Sequence, residues 1–257
     1  MSSDNPFLTL NQLRDSWYKV QPRSRIVGQN EGDLKKWWSA VEALRPDIEL
    51  KARDILADYL QLSLLWGGRR GEILSLEWKD VSLQDETICF VETKNGIEHI
   101  FPMTRYVRQL LEKRKRINES NDQPSLFVFP SPRANKAGVR SHLVEPKRAI
   151  ADVKKGSGCD FSSHDLRRTF GTLFNETGVS DYTVKRALNH AAHDTASRHY
   201  LQSRIAPLRS LYQAYETKVL VEAGVISEPE PEISVGAADY ANFLEWKSAQ
   251  SQSTVPD

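Results

Sequence analysis

Cysteine is scarce in this sequence: Cys89 and Cys159 lie far apart and without the spacing of metal ligands. That usage argues against a disulfide framework and against a zinc-ribbon site. No apolar run approaches the roughly 20 residues needed to cross a bilayer, and the first residues do not have the charged and apolar regions of a secretory signal. The 257 residues suffice for one domain with a full core. We therefore expect a soluble cytoplasmic protein with no membrane partner.

A large net charge is also absent, because the total is only +1. The charge is unevenly distributed, however. Residues 216–257 hold eight of the 34 acidic residues and two of the 35 lysines and arginines, so this stretch carries −6 and residues 1–215 carry +7. A basic body is typical of a protein with a polyanionic partner, although solvated surfaces produce the same asymmetry.

Hydrophobic periodicity predicts a mainly α-helical protein with a small antiparallel β-sheet, an α+β class. Helices are expected after Thr104 and near residues 34–44, 52–66, 69–78, 142–154, 164–177, 180–190 and 206–223. Thr87–Thr93 and Ile97–Phe101 are predicted to be strands, because the Asn95-Gly96 pair between them is the strongest short hairpin signal. A further short strand is expected at Ser125–Phe129.

Composition divides the chain into three parts. Residues 1–30 are polar and aperiodic and are expected to form a loose leader, whereas residues 31–227 contain the predicted helices and strands. Residues 228–257 begin with alternating glutamate and proline, a linker composition. This acidic tail ends in a short amphipathic stretch around Tyr240–Trp246.

Five short motifs contain residue types that do chemistry. In chain order they are Gly68-Arg69-Arg70-Gly71-Glu72, Lys94 in the hairpin turn, His164-Asp165-Leu166-Arg167-Arg168, Leu188-Asn189-His190, and Tyr200. Each has an ordinary structural explanation when taken alone. An arginine and a glutamate three residues apart form surface ion pairs, and a histidine after two serines can help to cap a helix. His190 and His193 are too few ligands for a metal site, so no metal is predicted.

The combination of these motifs is more specific than any one of them. Two arginines offer planar forks of donors that match phosphate oxygens, and they can neutralise the charge that builds up as phosphorus becomes five-coordinate. Two histidines can donate to those oxygens or accept a proton, a lysine on a turn can protonate a leaving alkoxide, and a tyrosine can attack phosphorus. This set needs neither a metal nor a cofactor, and it predicts metal-free transfer at a phosphodiester.

The order Arg69, Lys94, His164-x-x-Arg167, His190, Tyr200 resembles the tyrosine recombinases, in particular the integrases of phages and integrative elements. The resemblance spans about Leu34 to Tyr215 and implies a tyrosine-recombinase catalytic domain at residues 31–227. It further implies a site-specific DNA recombinase that cleaves and rejoins DNA through a 3′-phosphotyrosine intermediate, to integrate or excise a mobile element.

The resemblance assigns each motif a role at the scissile phosphate: Arg69 and Arg167 clamp it, His190 hydrogen-bonds it, His164 assists proton transfer, Lys94 is the general acid, and Tyr200 is the nucleophile. Glu72 is expected to orient Arg69, and Arg168 to be structural or to contact the DNA backbone. Asn189 departs from the pattern, because glycine usually precedes the second histidine. The candidate residues for DNA backbone contact are Arg105, Arg108, Arg140, Lys147 and Arg168.

The implied partner is double-stranded DNA carrying attachment sites, bound by a tetramer of this chain that is monomeric when free. Accessory DNA-bending proteins and association with the nucleoid are also implied. Integrases of this kind carry a separate core-binding domain upstream, which residues 1–30 are too short to form. We therefore expect the catalytic domain of a longer protein, or a native fragment. The tail at 228–257 is a candidate for a segment exchanged between neighbouring protomers.

Two other functions fit the same motifs. One is a strand nickase similar to type IB topoisomerases, which uses the same tyrosine chemistry without strand exchange. The other is a DNA-binding regulator that keeps the fold and does not cleave, although every expected catalytic position is occupied in this sequence.

Overall fold

The computed structural model describes residues 27–45, 51–90, 99–131, 141–144, 146–188 and 205–228. The chain divides after Val225 into two units, and the described helices and strands belong to the first. The helices are α1 Asp33–Glu42, α2 Lys51–Trp66, α3 Arg70–Leu74, α4 Arg105–Glu119, α5 Lys147–Ser157, α6 Ser163–Asn175, α7 Asp181–Ala187 and α8 Ile205–Glu222. The strands are β1 Val81–Ser82, β2 Thr87–Phe90 and β3 His99–Pro102, and a 3₁₀-helix covers Trp78–Asp80.

The three strands form one antiparallel sheet in the order β1–β2–β3. The register of β2 and β3 sets Ile88 opposite Phe101, and both side chains are buried in the core. The predicted class, mainly helical with a small antiparallel sheet, is therefore confirmed. The turn that joins β2 to β3, with Lys94, lies outside the described residues.

The predicted strand at Ser125–Phe129 is wrong. This segment makes an isolated bridge between Phe127 and Glu77, because the chain after Glu77 turns at once into the 3₁₀-helix Trp78–Asp80 and leaves no extended partner. The helix predicted at 69–78 is shorter than expected and ends at Leu74, because the chain leaves the helix at Ser75 and is extended at Glu77, where it makes this bridge.

The core is built around α2, whose apolar residues are buried on all sides of the helix, as is typical of a central helix. They include Leu60, Leu62, Leu64, Leu65 and Trp66. α2 packs against α6, and α1 packs against α5. Trp66 stacks on Phe101 with the ring centroids 5.4 Å apart, which joins α2 to the sheet. In the described part of the chain, no helix is long and apolar enough to cross a membrane.

Gly67 ends α2 and fixes the path of the chain towards Arg69. Its φ of +63° lies in the left-handed region that favours glycine. A Cβ at this position would lie 2.3 Å from the ring of Phe170 in α6. Glycine is therefore required at position 67 both by the backbone conformation and by the close approach of α6.

Candidate active site

Arg69 lies just before α3, and Glu72 in the first turn of that helix holds it from two sides. One oxygen of Glu72 accepts from the Arg69 backbone N–H at 2.9 Å. The other oxygen accepts from Nη1 of the Arg69 guanidinium, also at 2.9 Å. The carboxylate therefore caps a helix N-terminus, where negative charge is stabilised, and it fixes the direction of the guanidinium.

His164 lies in the first turn of α6, whose start is a reciprocal capping box. Ser162 Oγ accepts from the Asp165 backbone N–H, and the Asp165 carboxylate accepts from the Ser162 backbone N–H at 2.9 Å. The helix is thus capped without help from His164, whose side chain is exposed. Partial burial and the nearby cationic Arg168 hold the pKa of His164 below its usual value. The imidazole is therefore predominantly neutral at pH 7 in the free protein.

Arg167 lies one turn further along α6 and is the buried centre of the site, with 7% of its surface exposed. Its Nη1 donates to the Gly67 carbonyl at 2.7 Å, and its Nη2 donates to the Leu188 carbonyl. Gly67 precedes Arg69 by two residues, and Leu188 precedes His190 by two. One guanidinium therefore connects the two stretches of chain that lead into these motifs.

Two cationic groups come together in this site with one carboxylate beside them. Burial and the charge of Arg69 lower the pKa of Arg167 to about 10, and Glu72 opposes the shift. The Arg167 guanidinium still stays protonated at pH 7, and Glu72 only partly offsets the effect of Arg69 on it. A partly buried site with an excess of positive charge and oriented N–H donors is suited to bind an anion with several oxygens, such as a phosphate.

The structure brings together four of the predicted site residues: Arg69, Glu72, His164 and Arg167. The predicted residues Lys94, Arg140, His190 and Tyr200 lie outside the described residues, as does Asn189. Their roles stay predictions. Among the described residues, no group of three or more His, Cys, Asp or Glu side chains is arranged to hold a metal ion.

The remaining candidates for DNA contact occupy different settings. Arg105 and Lys147 are exposed first residues of α4 and α5. Arg108 pairs with Glu86 and, at 2.9 Å, with Glu112, so a phosphate would have to compete with two carboxylates for it. Arg168 Nη1 lies 2.8 Å from the Asp165 carboxylate.

Sequence reasoning missed the backbone carbonyls of Gly67 and Leu188 as parts of the site. The glycine pair after α2 predicts a helix end, but nothing in its pattern indicates which side chain binds the carbonyl. Such a contact joins positions about a hundred residues apart.

Residues 40–206 match the Phage integrase family. Because this match covers more than half of the chain, the chain belongs to that family. It is 33% identical over 198 residues to the prophage integrase IntF of Escherichia coli (strain K12), a match that covers 75% of this chain and 39% of that protein. It is 27% identical over 175 residues to the tyrosine recombinase XerA of Pyrococcus horikoshii, covering 66% of this chain and 55% of that one. The chain therefore spans about half or less of the length of these relatives.

Solved structures show the same fold. The XerH site-specific recombinase bound to difH substrate, in a pre-cleavage complex, superposes with a TM-score of 0.51 at 20% identity, covering 70% of this chain and 52% of that one. The integrase from mycobacterium phage Brujita gives 0.51 at 17% identity, covering 73% and 61%. The fold is thus that of a tyrosine-recombinase catalytic domain.

Proposed function

We propose that this chain is the catalytic domain of a site-specific DNA recombinase, which cleaves and rejoins DNA to integrate or excise a mobile element. The observation that carries the proposal is the Arg69–Arg167 pair, two neighbouring guanidiniums that are oriented by Glu72 and by the Gly67 carbonyl. A scissile phosphate offers oxygens that match the N–H donors of both guanidiniums. Membership of the Phage integrase family supports the same conclusion.

In the proposed reaction, Arg69 and Arg167 hold the non-bridging oxygens, and His190 adds a hydrogen bond. The Tyr200 oxygen forms a bond to phosphorus while the bond from phosphorus to the 5′ oxygen breaks. The phenol proton leaves through a neighbouring base, a role that we assign to His164, and Lys94 gives a proton to the departing 5′ oxygen. A 5′ hydroxyl from a second strand then attacks the phosphotyrosine and releases Tyr200, so the step consumes no cofactor.

The burial of other late tyrosines supports the choice of Tyr200. Tyr212 and Tyr215 on α8 are 1% and 0% exposed, and burial raises the pKa of both well above the usual value. Neither hydroxyl can reach a phosphate in solvent or ionise readily. Tyr182 on α7 is 61% exposed, so its hydroxyl is open to solvent, which makes it a matched control.

The same proposal includes the partners and the domain limits. Residues 31–227 form the catalytic domain, and 228–257 are a tail that exchanges between protomers. The substrate is double-stranded DNA with attachment sites, bound by a tetramer that assembles from monomers, with accessory DNA-bending proteins where the site requires them. The solved XerH relative, described as bound to its difH substrate, supports DNA as the partner.

The test uses a nicked suicide duplex and supercoiled plasmid with EDTA throughout, and it compares wild type with Tyr200→Phe and Tyr182→Phe. We expect a covalent protein–DNA band for wild type and Tyr182→Phe and none for Tyr200→Phe. An adduct that survives Tyr200→Phe would show that another residue is the nucleophile. With wild type, absence of an adduct on duplexes bearing the attachment site would contradict the proposal. Exchange of strands between two labelled duplexes separates recombination from nicking alone.

A further inference from the structure

The C-terminal end of α2 leads directly into the candidate site. The helix ends at Trp66, the chain turns at Gly67, and Arg69 follows two residues later. The last four carbonyls of a helix have no partner within it, and they form the negative end of the helix dipole. The donors that bind these carbonyls therefore help to fix the turn that leads to Arg69.

Two other helices supply donors at this end of α2. In a continuing helix the Leu64 carbonyl would accept from the N–H four residues later, but that residue lies beyond the end of α2. Tyr215 Oη of α8 donates to the Leu64 carbonyl instead, at 2.8 Å. Three residues further along the chain, the Gly67 carbonyl accepts from Arg167 Nη1 of α6 at 2.7 Å. The tyrosine and the arginine thus bind acceptors within the same short stretch of backbone.

The ring of Tyr215 reaches the same place through Phe170. Phe170 follows Arg167 by three residues on α6, and its ring meets the ring of Tyr215 edge-on, with the centroids 4.9 Å apart. Phe170 also packs closely against Gly67, where an added Cβ would lie 2.3 Å from its ring. Tyr215 and Phe170 are both fully buried. Tyr215 therefore acts on the contact between Gly67 and Arg167 from the side of α2 and from the side of α6.

We propose that Tyr215 is a positioning residue for Arg167: its hydroxyl fixes the last turn of α2, and with it the Gly67 carbonyl that orients the guanidinium. This inference rests on the proposed function, in which Arg167 holds the scissile phosphate. Because a guanidinium is planar, a shift of one acceptor also turns the N–H groups that remain for the phosphate. Loss of the Tyr215 hydroxyl therefore misaligns the phosphate clamp.

The test compares Tyr215→Phe with Tyr212→Phe. Tyr215→Phe removes the bond to Leu64 and keeps the ring that packs against Phe170. Tyr212 lies nearly one turn earlier on α8, is 1% exposed, and packs against Phe170 with the centroids 5.5 Å apart. Its hydroxyl, however, has no hydrogen-bond partner among the described residues. Burial holds the pKa of Tyr212 well above its usual value, so the phenol is neutral and Tyr212→Phe removes no charge near Arg167.

The first measurement is made on the full chain without DNA. Nitrogen NMR follows the Nη signals of Arg167, which are identified by their absence from Arg167→Lys. Hydrogen bonds to two carbonyls slow the rotation of the guanidinium and keep its Nη signals separate. We expect separate signals in wild type and in Tyr212→Phe, and averaged signals in Tyr215→Phe.

The second measurement separates the rate of cleavage from the affinity for DNA. At saturating suicide duplex, Tyr215→Phe should form the covalent adduct about tenfold more slowly than wild type or slower still, because a misaligned clamp loses the geometry that the reaction needs. Its Kd for the same duplex should change by less than about threefold, since affinity is the sum of many phosphate contacts. Tyr212→Phe should match wild type in both, measured well below the melting temperature.

Separate Nη signals in Tyr215→Phe, or averaged signals without slower adduct formation, overturn the positioning role. An equal effect of Tyr212→Phe overturns it as well. If Tyr215→Phe does not fold, Phe170→Leu removes the ring that contacts both Gly67 and Tyr215, and separate Nη signals in that variant would count against the proposal in the same way. Failure of the proposed function looks different, because then wild type itself forms no adduct while the Nη signals still respond to Tyr215→Phe.

Discussion

Arg167 reaches from α6 to the end of α2 and donates to the Gly67 carbonyl at 2.7 Å, while its second terminal nitrogen donates to the Leu188 carbonyl. A lysine in this position keeps the positive charge but cannot bind two carbonyls in a fixed plane. The arginine is therefore both a candidate phosphate ligand and a structural link between two loops.

We expect Arg167→Lys to abolish adduct formation and to lower the free energy of unfolding by about 1–3 kcal/mol, because at least one buried carbonyl loses its donor. Urea denaturation and the suicide-duplex assay measure the two effects. Arg69→Lys provides the comparison, since the Arg69 side chain is 27% exposed and its replacement should abolish activity with a smaller loss of stability. Equal stability of Arg167→Lys and wild type would contradict the linking role.

Gly67→Ala should destabilise the protein by at least about 2 kcal/mol, from a left-handed backbone with a Cβ and from overpacking against Phe170. Gly71→Ala is the control, because Gly71 lies in α3 and a Cβ there meets nothing within 4 Å. That change should be neutral or stabilising by up to about 1 kcal/mol. Thermal unfolding measures the stability of both variants. A Gly67→Ala protein as stable as the Gly71→Ala protein would show that Phe170 does not approach position 67 closely.

Local patterns in the sequence account for the parts of the candidate site that lie at helix starts. Arg69 with Glu72, and Ser162 with Asp165, are pairs three residues apart at helix starts, where backbone geometry alone brings the partners together. Contacts between distant parts of the chain were not predictable in this way. The acceptors of Arg167 are backbone carbonyls, which every residue has, so no side-chain pattern identifies them.

The junction between α4 and α8 shows the same difference between local patterns, which are predictable, and distant contacts, which are not. Thr104 is correctly predicted to precede α4. The first backbone N–H groups of α4, however, donate to the side chains of Gln213 and Glu216, more than a hundred residues later in the chain. The strand expected at Ser125–Phe129 fails for a related reason, because β-propensity within one segment does not reveal whether an extended partner lies beside it.

The pKa of His164 should rise when DNA binds, which makes the imidazole a stronger base for the proton of Tyr200. In the free protein partial burial and the charge of Arg168 hold its pKa below 6.5, and a phosphate beside the ring adds negative charge that raises it. The chemical shift of its Cε1 carbon, followed by NMR across pH with and without a duplex, gives both values. A pKa that does not rise on binding would place His164 away from the phosphate.

The same shift affects stability with a defined sign. Because the folded-state pKa of His164 lies below the unfolded value of 6.5, its contribution to stability is present above pH 6.5 and is lost as pH falls through the folded-state pKa. Between pH 6.5 and the folded-state pKa of His164, the unfolding free energies of wild type and His164→Gln should therefore differ in their pH dependence. Wild type should lose more stability on acidification than the variant.

Asp58 ties α2 to Arg45, just after α1, and to Arg114 within α4 through an ion-pair network. It is 1% exposed, and its carboxylate lies 2.7 Å from Arg45 Nη1 and 3.5 Å from Arg114 Nη1. Asp58→Ala should cost about 3–5 kcal/mol, because it leaves buried cations without their partner. Lys115→Ala, which removes an exposed pair with Glu119 at 4.0 Å, should change stability by less than about 1 kcal/mol.

The rate of DNA cleavage by Asp58→Ala is a second measurement of the role of this network. Asp58 pairs in this network with Arg45, Lys113 and Arg114, which are not residues of the candidate site. Once the folded fraction is taken into account, Asp58→Ala should therefore cleave the suicide duplex at the wild-type rate. A slower rate in the folded protein would mean that the position of α2, and with it the Gly67 carbonyl that orients Arg167, depends on the ion pairs made by Asp58 in the first half of the helix.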